Sequence, residues 1–155
     1  MTSIDLAAPA DAVELLALQR LAYESEARLY NDWSIPPITQ TLESLKEEIE
    51  RITVLKATEG QVIVGSVRAS LNDNICLIGR LVVSPSYQRK GIGAALLRAI
   101  EHSFHHASRF ELFTGSKSES NIRLYSRFGY AITGTKQLSE QVSIVVMSKH
   151  ANTDA

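Results

Sequence analysis

One cysteine, one tryptophan and four prolines stand in 155 residues, and no apolar run reaches the length that spans a bilayer. A lone cysteine, Cys76, closes no internal disulfide, and its apolar setting reads as a packed strand residue. Neither sign of charge dominates: 16 Lys and Arg face 17 Asp and Glu, for a formal net charge of −1. That balance excludes a global basic field for nucleic acid or an anionic membrane. The segment Met1-Thr2-Ser3-Ile4-Asp5 lacks the charged and apolar regions of a signal peptide, so a reducing cytoplasm is the expected setting. Repeats, low-complexity tracts and long linkers are also missing. What is there is an ordinary apolar share, 45%, in about one domain's length of chain. The expectation is a single domain over residues 1–150 with a frayed tail over 151–155.

The hydrophobic period divides the chain. Thr2 to Leu6 suits a short strand, and Pro9 and Asp11 suit a helix start. Leu15, Leu18, Ala22 and Leu29 recur at helical spacing, which predicts a helix over Ala10–Tyr30. Asn31 to Gln40, with Pro36 and Pro37, breaks it, and a second helix is expected from Thr41. From Val54 the period changes. Val54–Thr58, Val62–Ser70 and Ile75–Val83 read as antiparallel strands, because Glu59-Gly60 and Asn72-Asp73-Asn74 are too short for crossovers. A helix with Ile92, Leu96 and Ile100 on one face follows, then a strand over Phe110–Thr114. A short helix over Asn121–Phe128 stops at Gly129, and Ala131–Leu138 and Val142–Lys149 form a closing hairpin. The fold class is α/β of the α+β kind: a mixed, mainly antiparallel sheet flanked by helices.

Between the Leu81-Val82-Val83 run and the next helix lies Gln88-Arg89-Lys90-Gly91-Ile92-Gly93-Ala94. Glycines there let backbone N–H groups approach an anion, and the helix N-terminus adds positive potential, which suits a phosphate or pyrophosphate. A P-loop fails, since Lys90 precedes Gly91 and Ala94 follows Gly93. A dinucleotide fold has a partial G-x-G-x-x-G and Glu111 near the ribose offset. It is disfavoured because Leu96 takes the sixth position and the upstream strands look antiparallel.

Taken whole, Leu81-x-Val83-x-Pro85 followed by Gln88-x-x-Gly91-x-Gly93-Ala94 resembles the acetyl-coenzyme A signature of the GNAT superfamily of N-acetyltransferases. Asn121-x-x-x-Tyr125-x-x-Phe128-Gly129-Tyr130 resembles a second block of that family, and the element order agrees over nearly the whole chain. Phe110 to Glu119 and Tyr30 to Pro37 look like a bacterial subgroup without a defined substrate. The resemblance implies a sheet whose central strands splay apart, with the acyl group held in the opening. It implies that Gln88, Arg89, Lys90, Gly91, Ile92, Gly93 and Ala94 wrap the coenzyme A pyrophosphate, and that the main chain of Leu81, Val82 and Val83 lies along the pantetheine arm. Asn121 would contact that arm, and Tyr125 would protonate the departing thiolate. A phenol of pKa about 10 is suited to that donation.

The base is open. An alkyl ammonium of pKa about 10.4 is roughly one part in a thousand neutral at pH 7, a cost of about 4–5 kcal/mol. Many relatives place a glutamate where this chain has Leu77; Glu111, Glu26 or a water chain are the alternatives. Tyr23, Glu24, Glu26, Tyr30, Asp32 and Trp33 fall in the region that would form the acceptor pocket. They either receive a cationic amine or lock the helix connection with the acids in water. His102, His105 and His106 read as an exposed helix end, and no metal is expected. The resemblance implies transfer of acetyl from acetyl-coenzyme A to a primary amine by direct attack, with homodimers common among relatives. A non-catalytic acyl-coenzyme A sensor is the alternative. The acceptor stays unnamed among small amines, amino acids, antibiotics and protein amines.

Overall fold

A computed structural model describes residues 2–151. Seven strands form one sheet: β1 (Thr2–Leu6), β2 (Thr53–Glu59), β3 (Val62–Asn72), β4 (Ile75–Val83), β5 (Arg109–Gly115), β6 (Ala131–Gln137) and β7 (Ser143–His150). Their spatial order is β1-β2-β3-β4-β5-β7-β6, so β7 inserts between β5 and β6. Every pairing is antiparallel except β4 with β5. The β3–β4 turn places Asp73 and Asn74 at φ 50° and 65°, the left-handed pair that matches the twist of a tight hairpin.

Among the described residues five α-helices accompany the sheet: α1 (Ala12–Tyr30), α2 (Pro36–Thr39), α3 (Leu42–Arg51), α4 (Ile92–Ser103) and α5 (Glu119–Arg127). The short α2 corrects the expectation of a plain break over Asn31–Gln40. Pro36 and Pro37 occupy its first positions, where their fixed φ and missing N–H cost nothing. Thr41 caps α3 by accepting the Ser44 N–H at 3.1 Å. Helix α4 ends at Ser103, one correction to the histidine reading: His102 lies in its last turn, while His105 and His106 lie beyond it.

The two faces have separate cores. On one, Leu96, Leu97 and Ile100 of α4 are fully buried against Val64, Val67 and Cys76, together with Tyr125 and Tyr130. Each such aliphatic side chain contributes about 1.5–3 kcal/mol of transfer free energy. Cys76 is a fully buried core residue, and burial pushes its thiol up to about 12, so it stays an inert thiol. On the other face Leu15, Leu16 and Leu18 of α1 and Leu45 and Ile49 of α3 pack on Val54, Ile63 and Val82. The far end of α1 places Tyr30 against Val142 and Ile144 beside β7. Helix α1 therefore spans both halves of the sheet. Of the expected frayed tail, Ala151 donates its N–H to the Ser108 carbonyl at 3.0 Å, and residues 152–155 lie outside the described residues.

Candidate functional site

Strands β4 and β5 pair in parallel at three positions, Ile75 with Arg109, Cys76 with Phe110 and Leu77 with Glu111. Beyond Leu77 they diverge. β4 runs on to Val83 beside β3, and β5 runs on to Gly115 beside β7. Gly79 to Val83 thus offers a strand edge toward a wedge-shaped opening in mid-sheet, with backbone donors and acceptors that no neighbouring strand takes up among the described residues.

A β-bulge shapes that edge. Between the pairs Ser66–Val82 and Arg68–Gly79, β4 carries one residue more than β3, and Arg80 adopts a left-handed φ of 51°. The bulge reverses the side-chain alternation. Cys76 and Ile78 before it, and Leu81 and Val83 after it, all join the α4-side core, while Val82 joins the α1-side core. Sequence periodicity read this segment as one regular strand. The available signal was Gly79-Arg80, a glycine and a charge inside an apolar run.

The glycine turn follows the end of β4, on one side of the mouth of the opening. Arg89 and Gly91 take φ 64° and 81°, and Gly91 is the residue from which α4 begins. The first hydrogen bond of α4 runs from the Ala95 N–H to the Gly91 carbonyl at 3.0 Å. The N–H groups of Ile92, Gly93 and Ala94 therefore point out of the helix end, where an anion would be met by the helix dipole. A Cβ on Gly93 would lie 3.7 Å from both Leu124 and Val83, an ordinary contact distance that places the start of α4 beside α5 and the end of β4. Gln88 donates to the Val83 carbonyl at 3.4 Å, Lys90 lies over the Tyr87 ring at 5.1 Å, and Gln88, Arg89 and Lys90 are exposed.

The other side of the mouth is formed by α5, which follows the end of β5. Asn121 and Tyr125 are one turn apart on it. The Asn121 amide reaches Thr114 Oγ1 on β5 at 3.5 Å. Tyr125 is 6% exposed, stands edge-on to Tyr130 with ring centroids 6.1 Å apart, and its hydroxyl has no hydrogen-bond partner among the described residues. Burial pushes its pKa above the ordinary phenol value, with Tyr23 and Glu26 adding to the rise. Tyr130 is engaged elsewhere: it donates to Glu101 at 2.7 Å, and Lys149 completes that cluster at 2.9 Å from Glu101.

The structure places the other expected residues unequally. Glu26 accepts a hydrogen bond from the Ser118 hydroxyl, and its charge acts on both Tyr23 and Tyr125. Glu111 sits at the closed end of the opening, opposite Leu77, with Arg109 3.4 Å away. Tyr30 is buried and its hydroxyl accepts the Lys117 N–H. Asp32 accepts the Ser34 N–H at 2.9 Å and its hydroxyl at 2.5 Å, bonds that hold its carboxyl below the usual value. Trp33 is half exposed under the Arg28 guanidinium, 6.0 Å from the ring centre, and Glu24 is exposed. Among the described residues no group of three or more His, Cys, Asp or Glu side chains is arranged to hold a metal ion. Among the described residues no helix is long and apolar enough to cross a membrane.

A family model described as an acetyltransferase (GNAT) domain matches residues 25–151. The UPF0157 protein YqkA of Bacillus subtilis is 27% identical over 135 residues, which is 87% of this chain and 39% of that protein. The chain thus spans well under half the length of that curated relative. An acetyltransferase of the GNAT family from Streptococcus pneumoniae superposes with TM-score 0.79 at 21% identity, over 98% of this chain and 100% of its own. The PaiA N-acetyltransferase from Thermoplasma acidophilum, in complex with coenzyme A, superposes with TM-score 0.81 at 19% identity, over 97% and 99%. At these identities the solved structures show a shared fold.

Proposed function

The chain belongs to the GNAT acetyltransferase family, and from that membership we propose that residues 1–150 act as one domain that transfers acetyl from acetyl-coenzyme A to a primary amine in a ternary complex. The observation that carries this reading is the divergence of β4 and β5 beyond Leu77 and Glu111, with the glycine turn following β4 and the Tyr125 helix following β5 on the two sides of the mouth. A structural relative with the same fold holds coenzyme A.

In this reading the N–H groups of Ile92, Gly93 and Ala94, with Gln88, Arg89, Lys90 and Gly91, hold the pyrophosphate. The pantetheine amides pair with the open edge of Leu81, Val82 and Val83 as a short added strand. Asn121 fixes the arm near the thioester. The amine nitrogen attacks the thioester carbonyl, and backbone N–H groups of the β4 edge hold the oxygen as it gains charge. The C–N bond forms, the C–S bond breaks, and the thiolate takes the Tyr125 proton. The acceptor's own proton leaves through Glu26, the carboxylate whose charge acts on Tyr125, directly or by water. Glu111 is less suited, being at the closed end with Arg109 beside it.

A thiol-release assay over a panel of primary amines, with mass spectrometry of the acetylated product, tests the proposal. Amine-dependent thiol release supports it. Cofactor binding with thiol release that never depends on an added amine favours a sensor module instead.

A further inference from the structure

An open cavity of about 370 Å³ lies between α2, α3 and the β3–β4 pair, on the α1 side of the sheet. Three arginines line it, Arg51, Arg68 and Arg80, against two acids, Glu47 and Glu48. Arg68 and Glu48 neutralise each other at 2.7 Å. Arg80 forms no ion pair among the described residues, although the Glu48 charge favours its charged form. It is partly buried, and one guanidinium N–H goes to Gln40 Oε1 at 3.1 Å.

Gln40 cannot turn to serve Arg80 further. Its Oε1 also accepts from Gln19 at 3.0 Å, and its amide nitrogen is spent on Ser44 at 3.1 Å and on Glu48. Arg80 therefore keeps most of its five donors for whatever enters the cavity. Burial, and then the neighbouring Arg68 charge, both work against its charged form. An anion arriving there would relieve both effects. Arg51, in the last turn of α3, adds a second cation with no ion-pair partner among the described residues.

One lining residue of the cavity, Arg80, lies on the strand that borders the proposed transfer site. Arg80 is the bulge residue directly before Leu81, within the open strand edge, and it is held in the left-handed conformation that side-chain-bearing residues rarely adopt. Tyr23 feels the charges of Arg80 and of Glu26, and Tyr125 feels Tyr23 and Glu26. Arg80 in the cavity and Glu26 thus both act electrostatically on Tyr23, and Glu26 acts on the Tyr125 phenol.

We infer that the acceptor is a primary amine that also carries an anionic group, a carboxylate or a phosphoryl, and that Arg80 and Arg51 bind this group in the cavity while the amine lies toward Glu26 and Tyr125. This rests on the transfer reading above and specifies its second substrate. A guanidinium fork suits both oxyanions, and Glu47 at the rim leaves the lining with one net positive charge once Arg68 and Glu48 cancel.

Side-chain N–H resonances of the arginines, followed in protein saturated with coenzyme A, test it. The probes are N-acetylglycine, inorganic phosphate and neutral N-methylacetamide at matched ionic strength. Saturable shifts at Arg80 with millimolar affinity are expected from at least one anionic probe, with the carboxylate and phosphate arms telling the two groups apart. Arg80→Gln should weaken that binding roughly tenfold or more, and Arg80→Lys by less, because it keeps the charge and loses the fork. If Arg80→Gln does not fold, Arg51→Gln provides the same comparison. No saturable shift at Arg80, equal affinity in the variant, or equal binding of N-methylacetamide overturns the inference. Failure of coenzyme A to bind instead counts against the transfer reading, and the probe titration of the free protein still reads Arg80.

Discussion

The Tyr30 hydroxyl accepts the Lys117 backbone N–H at 2.7 Å, tying the last turn of α1 to the loop between β5 and α5. One turn earlier on α1, Glu26 accepts from Ser118, the residue from which α5 begins. The helix that carries Tyr125 is thereby held by α1. Gly115 makes room for this link: a Cβ there would lie 2.3 Å from the Tyr30 hydroxyl oxygen. Gly115→Ala is expected to displace Tyr30 and destabilise the fold by about 1–3 kcal/mol. Tyr30→Phe, which loses only the hydrogen bond, should cost about 0.5–1.5 kcal/mol. Urea unfolding of the two variants checks the order.

Tyr125→Phe removes the proton donor and leaves the ring packed. The expected result is a drop in turnover of roughly a hundredfold with coenzyme A affinity nearly unchanged. Steady-state thiol release together with a binding titration separates the two quantities. Equal loss of affinity and turnover would make Tyr125 a packing residue.

The pH profile carries a second check on the same residue. Burial raises the Tyr125 pKa, so the phenol keeps its proton to higher pH than a free tyrosine. The acceptor amine gains its neutral form as pH rises toward about 10.4. The kcat/KM is therefore expected to climb between about pH 7 and pH 9, with no falling limb from Tyr125 below about pH 10. A falling limb that starts below pH 9 and disappears in Tyr125→Phe would contradict the assignment.

Asp11 predicts an acid sensitivity of the fold. Burial alone would raise its pKa, but the Ala8 N–H at 2.8 Å and the Lys56 ammonium at 2.9 Å bring the net value below normal. A depressed folded pKa contributes stability above the unfolded value of about 3.9, and that stability is lost as pH falls through the folded value. Asp11→Asn should destabilise the protein by up to about 1 kcal/mol near pH 7 and by less near pH 3. Thermal unfolding at the two pH values reads the difference.

Much of this was legible in the sequence because the signals are local. The change of period at Val54, the glycine turn at Gly91 and the Asn121–Tyr130 block each act within one element and its neighbour. The mixed sheet was foreseen on that basis. The insertion of β7 between β5 and β6 was not, because strand order is settled by which edges meet in space. The Arg80 bulge depends on the register of β4 against β3, and an apolar run read alone has no register. The cavity cations were missed for a related reason. Arg51, Arg68 and Arg80 lie on three elements and converge only after α3 packs on the sheet. Of the aromatic residues in the expected acceptor region, Trp33 is half exposed beside Arg28, while buried Tyr30 makes the long-range contact.

The central claim is that the opening between β4 and β5 binds acetyl-coenzyme A with its pyrophosphate at the glycine turn. Isothermal titration of the protein with acetyl-coenzyme A tests it most directly, beside Gly91→Val, which puts a branched side chain where φ is 81°. One saturable site of micromolar affinity, weakened at least tenfold in the variant, is the predicted result. No binding at millimolar acetyl-coenzyme A, or affinity unchanged in Gly91→Val, would contradict it.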